Sequence, residues 1–327
     1  MTSSRPLALT MGEPGGVGGE LALKAWTTPG VPAFFLVGDA DWLARIDPAA
    51  PVRRIERPDD AARIFPDALP VLPLSLTAPV EPGTADPEHA PAVIASIERA
   101  VAAVGSGAAS AVVTLPIQKE SLTSAGFAHP GHTEFLAELT GARRSVMMLV
   151  GEGLRAVPLT VHIPLSEVSG RLTGALIEET ARIVADALRA DFGIAAPRLV
   201  LAGLNPHAGE GGTLGAEDGA VMAPAAARLK REGVDMRGPL PADTLFHAEA
   251  RARYDAVLCA YHDQALIPVK MLDFHNAVNV TLGLPIVRTS PDHGTALDIA
   301  GTGRARPDSL VAALKLAHAM AERRQGV

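Results

Sequence analysis

Short apolar runs alternate along the chain with longer stretches whose apolar positions recur at helical spacing. That pattern predicts strands interleaved with helices. Residues 7–11 read as a first strand, 12–19 as a glycine-rich turn, and 20–26 as a helix. Residues 34–37 form a second strand, closed by Gly38-Asp39. The Pro-rich stretch 66–91 is the least regular and is expected to cross the surface. An amphipathic helix over 92–104 then feeds a strand at 111–114. In the middle, the apolar runs 145–150 and 156–163, separated by Gly151-Glu152-Gly153, predict a hairpin-like pair. Residues 166–188 read as one long helix with Ser166 as its cap. Strands over 199–204 and 254–261 deliver Asn205-Pro206-His207 and His262-Asp263-Gln264, and 307–324 is a closing helix with a basic end. The succession predicts an α/β architecture with mostly parallel sheets.

At 327 residues the chain is long for one core, so two lobes are expected. They share the chain non-sequentially: 1–128 with 284–327 as a cofactor-side lobe, and 129–283 as a metal and dimerisation lobe. Apolar residues are 48% and charged residues 20%, which excludes disorder. A net charge of −7 and 4% aromatics argue against nucleic acid as a partner. The single cysteine, Cys259, lies in an apolar run and reads as a buried hydrophobe. It leaves no internal disulfide and no zinc site built from several cysteines of one chain. No apolar stretch approaches the roughly 20 residues of a membrane span, and no signal-peptide core is visible, so a cytoplasmic location without a membrane partner is expected.

Chemistry concentrates in five places. The turn from Gly12 through Gly15, Gly16, Gly18 and Gly19 has the strand–glycine–helix context of phosphate or dinucleotide binding. It does not fit the full dinucleotide fingerprint, and Asp39 is the only acidic residue placed to read a ribose. A tight turn explains these glycines as well. His162, His207 and His262 each follow an apolar run, the position from which α/β proteins bind ligands. Three imidazoles suit a divalent cation with open positions, although structural histidines remain the alternative. Gly131-His132-Thr133-Glu134 opens a helix whose free N–H groups could hold an anion, with Thr133 also a plausible cap. Lys270, Asn279 and Arg288 are polar groups embedded in apolar sequence; an anionic ligand or an internal partner must offset their burial. Finally, Asp292 to Gly303, with His293, Gly294, Thr295, Ala296 and Asp298, is a loop of small residues and backbone donors ahead of the last helix.

That loop resembles the His-Gly-Ser/Thr-Ala-x-Asp-Ile-Ala-Gly loop of isocitrate and isopropylmalate dehydrogenases, where it contacts the adenosine side of the cofactor. The whole chain resembles the 4-hydroxythreonine-4-phosphate dehydrogenases. The match rests on residues 10–18, 131–136, 204–212, Gly238-Pro239-Leu240-Pro241-Ala242-Asp243-Thr244, Tyr261-His262-Asp263-Gln264 and the Lys270–Asn279–Arg288 series, in that order. Gln118 departs from the His or Asn common in relatives, and Gly16 and Gly19 replace commoner residues. The resemblance implies two α/β/α lobes with a cleft between them, of the isocitrate/isopropylmalate dehydrogenase type, and a homodimer with shared active sites. It implies one divalent metal per subunit (Zn, Mg or Co), held by His162 and His207 of one subunit and His262 of the other. His132, Thr133, Lys270, Asn279 and Arg288 would contact substrate. Gly12, His293, Gly294, Thr295, Ala296 and Asp298 would line the NAD or NADP site. His89, His129, His247, His275 and His318 match none of these roles.

The activity so implied is oxidation of the secondary hydroxyl of 4-phosphooxy-L-threonine, followed by loss of carbon dioxide. The metal would act as a Lewis acid and the nicotinamide would take the hydride. Lys270 would steady the enolate or a carboxylate, and Asp243 is a candidate base. Related chemistry on a four-carbon sugar-acid phosphate or an aromatic cis-dihydrodiol is the nearest alternative, and a metal phosphohydrolase a more distant one.

Overall fold

The computed structural model describes residues 5–127, 129 and 131–326. Their strands are β1 (Leu7–Thr10), β2 (Phe34–Gly38), β3 (Val52–Arg54), β4 (Leu69–Pro73), β5 (Val112–Val113), β6 (Val146–Gly151), β7 (Leu154–Pro158), β8 (Arg198–Ala202), β9 (Asp235–Leu240), β10 (Ala256–Cys259), β11 (Val278–Leu282) and β12 (Arg288–Pro291). The chain divides into two compact units, Met1–Ser145 with Leu284–Val327, and Val146–Gly283. Residues 131–145, which the sequence reading placed in the second lobe, pack with the first unit. Phe135 and Leu136 of the helix His132–Thr140 are buried against Ile97, Val101 and Ile286.

In the first unit the strands run in the order β3-β4-β2-β1-β5-β12, every pair parallel. Successive strand residues face opposite sides, so Ala8, Phe35, Val37 and Val112 meet the helix Ala90–Gly105 on one face. The helices Gly18–Trp26 and Asp308–Arg324 pack together, the latter on β12 and β5. The chain leaves β1 toward β2 and β4, then returns to β5 on the other side. That reversal makes the carboxyl ends of β1 and β5 the natural crevice for a ligand. Ser96 ties this edge together: its hydroxyl accepts from the Met11 amide at 2.9 Å and donates to the Val37 carbonyl at 2.6 Å, fully buried.

The second unit orders its strands β11-β6-β7-β10-β8-β9. The hairpin β6–β7 and the β11–β6 pair are antiparallel, whereas β7, β10, β8 and β9 pair in parallel. The helix His262–Leu272 buries Ala265, Leu266 and Val269 against Leu149, Ala156 and Val257. Cys259 sits in that core as expected, and burial pushes its thiol pKa up. The long helix expected over 166–188 is broken. A 3-10 turn, Leu165–Glu167, and a single turn, Val168–Arg171, precede the helix Gly174–Ala190. Ser166 does not cap it. Leu172 is extended, and the Thr173 hydroxyl accepts from the Leu176 amide at 3.2 Å, so the cap lies at Thr173.

Ser96→Ala would leave a buried amide and a buried carbonyl without partners. We expect a loss of about 2 kcal/mol in urea unfolding, with the native circular dichroism unchanged.

Candidate functional site

The first unit assembles a cationic cradle. His132 opens its helix behind Gly131, whose extended backbone makes no side-chain cap; Thr133 lies inside the first turn and is not the cap. The His132 Nε2 atom is buried without a hydrogen-bond partner, although the residue as a whole is only half-buried. Arg288 enters from β12, buried, and donates from Nη2 to the Thr114 hydroxyl at 2.5 Å beyond β5. Lys119 completes the set. A Cβ on Gly131 would lie only 3.5 Å from its Nζ, which places the ammonium at the start of the His132 helix. Desolvation first, then Arg288 and Lys119, hold the His132 imidazole well below its ordinary pKa. Burial lowers Arg288 to about 10. Such a group of mutually repelling cations with an orphaned imidazole nitrogen is chemically suited to an oxyanion with several acceptor oxygens. Of these groups His132 and Arg288 stand out in the sequence, the one at a helix start and the other inside an apolar run, whereas no local pattern marks Lys119.

The two glycine-rich segments of this unit are physically one structure. The Val17 amide donates to the Thr295 carbonyl at 3.1 Å, and Glu20 accepts from the Gly301 amide at 2.5 Å. Lys24 Nζ donates to the carbonyls of Gly303 and Ala305 at 2.6 and 2.7 Å. Gly12 has φ +68°, and a Cβ there would meet Pro116 O at 2.8 Å, so close packing of the turn itself demands glycine. Ala296 holds a left-handed φ of +48°, and Asp298 lies in the 3-10 turn Leu297–Ile299 that follows. His293 Nδ1 lies 2.9 Å from the Gly294 carbonyl. The Thr295 hydroxyl donates to Gln118 Oε1 at 3.4 Å. A cavity of about 630 Å³ lies beside this loop, lined among others by Pro14, Glu20, Trp42, Pro82 and Thr302. The Asp39 carboxylate is engaged by backbone: Oδ1 accepts from the Asp41 and Trp42 amides, capping their helix, and Oδ2 from the Leu76 amide.

In the second unit, β7, β10 and β8 are consecutive neighbours, all parallel. Their carboxyl ends lead into His162, His262 and His207 respectively. The rings of His162 and His262 lie close together, tilted by 42° with centroids 5.5 Å apart. His262 Nδ1 lies 2.7 Å from the Asp263 carboxylate, which accepts the Nδ1 proton and leaves Nε2 open as a ligand. His162 and His207 both adopt left-handed backbone, φ +50° and +52°. Such conformations cost about 1 kcal/mol or more each and persist where the surroundings impose them. After His207 the left-handed run continues through Ala208, Gly209, Glu210 and Gly211. Asp218, buried, anchors its entry by accepting from the Leu204 and Asn205 amides at 2.9 and 3.1 Å. Among the described residues of one chain, no three His, Cys, Asp or Glu side chains come together as a metal set. The donors fit a borderline divalent cation in kind, two neighbouring imidazoles and a third on the adjoining strand end, but the described residues of one chain do not complete the set. Lys270 is half-buried with its Nζ 5.8 Å from the Phe274 ring centre, Asn279 lies on β11, and Asp243 is exposed in the turn Ala242–Thr244.

The chain matches the family model of the pyridoxal phosphate biosynthetic protein PdxA over residues 31–317. It is 58% identical to a 4-hydroxythreonine-4-phosphate dehydrogenase of Methylorubrum extorquens over 98% of this chain and 96% of that one. A Caulobacter vibrioides protein of the same name is 56% identical over 98% of this chain and 99% of its own. The crystal structure of a 4-hydroxythreonine-4-phosphate dehydrogenase from Klebsiella pneumoniae superposes with TM-score 0.88 at 38% identity, covering 97% of this chain and all of that one.

Two buried groups titrate in opposite senses. With His132 depressed below 6.5, the unfolded chain takes up a proton there that the folded chain does not, so stability falls as pH drops through 6.5. Glu13, at the end of β1, is raised from 4.5 to about 7, chiefly by desolvation. Between those values the folded chain holds the extra proton, so this contribution is present at low pH and lost as pH rises toward 7. Each slope approaches about 1.4 kcal/mol per pH unit, and over the shared range they cancel. Glu13→Gln should unmask the His132 slope: its unfolding free energy should fall with acidification by about 1 kcal/mol per unit more steeply than the parent's. Parallel stability–pH curves for the two proteins would refute the assignment.

Proposed function

The chain belongs to the PdxA family of pyridoxal phosphate biosynthetic proteins, and on that premise we propose that it oxidises 4-phosphooxy-L-threonine with NAD or NADP to 2-amino-3-oxo-4-(phosphooxy)butanoate, which then loses carbon dioxide to give 3-amino-2-oxopropyl phosphate. The observation that carries the reading is the pairing of chemistries in one chain: a buried cationic cradle in the first unit and a histidine set at three neighbouring strand ends in the second.

In this reading His132, Lys119 and Arg288 receive the substrate's phosphate, each charge-assisted hydrogen bond contributing roughly 1.5–3 kcal/mol. Thr133, at the free amides of its helix, adds a hydroxyl donor. His162, His207 and His262 would hold a divalent cation, Zn, Mg or Co. When bound, that cation makes a secondary hydroxyl acidic, and the nicotinamide accepts the hydride from the same carbon. Asp263 fixes the His262 tautomer for that role. Lys270 offers an ammonium to a carboxylate or to the enolate left by decarboxylation, Asn279 offers an amide, and Asp243 is the candidate base. The cavity beside the Asp292–Gly303 loop, with Gly16, Gly301, Thr302 and Gly303 in its wall, suits the adenosine half of the cofactor, whereas Gly12, His293, Gly294, Thr295, Ala296 and Asp298 are not among the residues that line it.

The incomplete metal set within one chain supports a homodimer in which a second copy supplies the missing ligand. An exposed apolar ridge at the His262 helix, Ile267 at 63%, Met271 at 75% and Phe274 at 68%, supports the same reading. No helix among the described residues is long and apolar enough to cross a membrane, and a cytoplasmic enzyme agrees with that.

Chelation should abolish NAD(P)H formation from 4-phosphooxy-L-threonine, and re-addition of Zn, Mg or Co should restore it. Turnover that survives complete metal removal would overturn the mechanism. His207→Ala and His262→Ala should each be inactive. Co-refolded in equal amounts they should recover roughly a quarter of parental activity, because half the dimers are mixed and each mixed dimer holds one intact site. No recovery from a mixed dimer shown to form would place all three histidines in one subunit.

A further inference from the structure

Part of the wall of the cavity beside the Asp292–Gly303 loop is Gly301-Thr302-Gly303, a stretch without regular structure, and two charged side chains hold it in place. Glu20 and Lys24 lie four residues apart on the helix Gly18–Trp26 and so share a face. Each reaches the same segment with the bond its chemistry allows. The Glu20 carboxylate accepts from the Gly301 amide at 2.5 Å through Oε1. The Lys24 ammonium donates to the carbonyls of Gly303 and Ala305 at 2.6 and 2.7 Å. Gly301 and Gly303 both have left-handed backbone, φ +74° and +71°, so no helix or sheet ladder takes up the polar groups of this turn. Pro82 also abuts Gly301, where a Cβ would lie 2.8 Å from the proline Cβ. Glu20, Lys24 and Pro82 line the same cavity. Glu20 is only 7% exposed, and its Oε2 is buried without a hydrogen-bond partner, a cost to stability that an apolar residue would avoid.

We propose that Glu20 and Lys24 are positioning residues for the cofactor cavity: together they pin the segment 301–305 to the helix Gly18–Trp26 and so hold a wall against which the adenosine half of a nicotinamide dinucleotide packs. Opposite charges one turn apart on a helix commonly pair with each other. Here each is directed at backbone, the acceptor to an amide and the donor to two carbonyls, which is the division of labour their chemistry allows. A glutamine at position 20 keeps the oxygen that accepts from Gly301 and loses the charge. A leucine at 20 or a methionine at 24 fills the space and makes none of these bonds. A wall so loosened must be ordered again by the ligand, at a cost in affinity at this cavity, while the cradle of His132, Lys119 and Arg288 is built on other elements.

The inference rests on the cofactor reading above, and the test separates the two. Full-length protein and its Glu20→Leu, Glu20→Gln and Lys24→Met variants are titrated calorimetrically with adenosine, AMP and NADH, with inorganic phosphate as a control on the cradle. Glu20→Leu and Lys24→Met should each bind all three adenosine compounds about 10-fold more weakly, with unchanged phosphate affinity, and should raise KM for the nicotinamide cofactor with little change in kcat. Glu20→Gln should stay within about threefold of the parent, because it keeps the bond to Gly301. Parental adenosine affinity in both Glu20→Leu and Lys24→Met would overturn the positioning role alone. A loss confined to AMP and NADH would do the same, by putting Lys24 on a ligand phosphate. A Glu20→Gln protein as weak as Glu20→Leu would also do so, by tracing the effect to the carboxylate's charge. Lys24 is only half-buried, so its variant decides the question should Glu20→Leu fail to fold. A parent that binds neither adenosine nor NADH would overturn the cofactor reading and this inference with it.

Discussion

Parallel pairing of β7, β10 and β8 is the constraint from which the second unit's chemistry follows. Parallel strands discharge their chains at the same edge, so three segments far apart in sequence arrive side by side without any direct attraction between their histidines. The hydrophobic core beneath, from Leu149 and Ala156 to Val257 and Cys259, fixes that register. Slippage by one residue would turn each strand's buried side chains to the opposite face.

The first unit solves a different problem, how to keep cations close together in a largely desolvated place. Arg288 has the Thr114 hydroxyl as a partner, and the imidazole of His132 remains neutral because a charge there would lack solvent and face Arg288 and Lys119. An arriving phosphate would reverse that balance, because an anion would stabilise charge on all three groups. On the proposed reading, a multiply charged anion would therefore be favoured there over a neutral hydroxyl compound.

Much of this was legible in the residues, for identifiable reasons. Strands such as β1, β2, β8 and β10 are short, largely apolar and bounded by turn residues, so their existence, and the exits of β8 and β10 toward His207 and His262, could be read directly. The break before Gly174 was not, because apolar spacing continues through Leu172 at helical period while the backbone there is extended. Thr173-Gly174 was the available signal, a cap residue inside the run. The helix His132–Thr140 showed its buried face but not its partner: Phe135 and Leu136 would suit either unit, and only the contact with Ile97 and Ile286 decides. Lys119 escaped because its placement depends on groups distant in the chain, His132 and Arg288, which no local residue pattern announces.

The left-handed run after Asn205 limits how this loop can change over evolutionary time. His207, Ala208 and Glu210 are held there in company with Gly209, Gly211 and Gly212, so the phase of the glycines matters as much as their number. Removing or adding one residue would shift β-carbons onto positions such as 209, where a methyl group would lie 2.8 Å from the Gly215 carbonyl. Point substitutions at solvent-facing positions leave that phasing intact, whereas an insertion or deletion would set side chains against it, so change in this loop is steered toward residue identity and away from length.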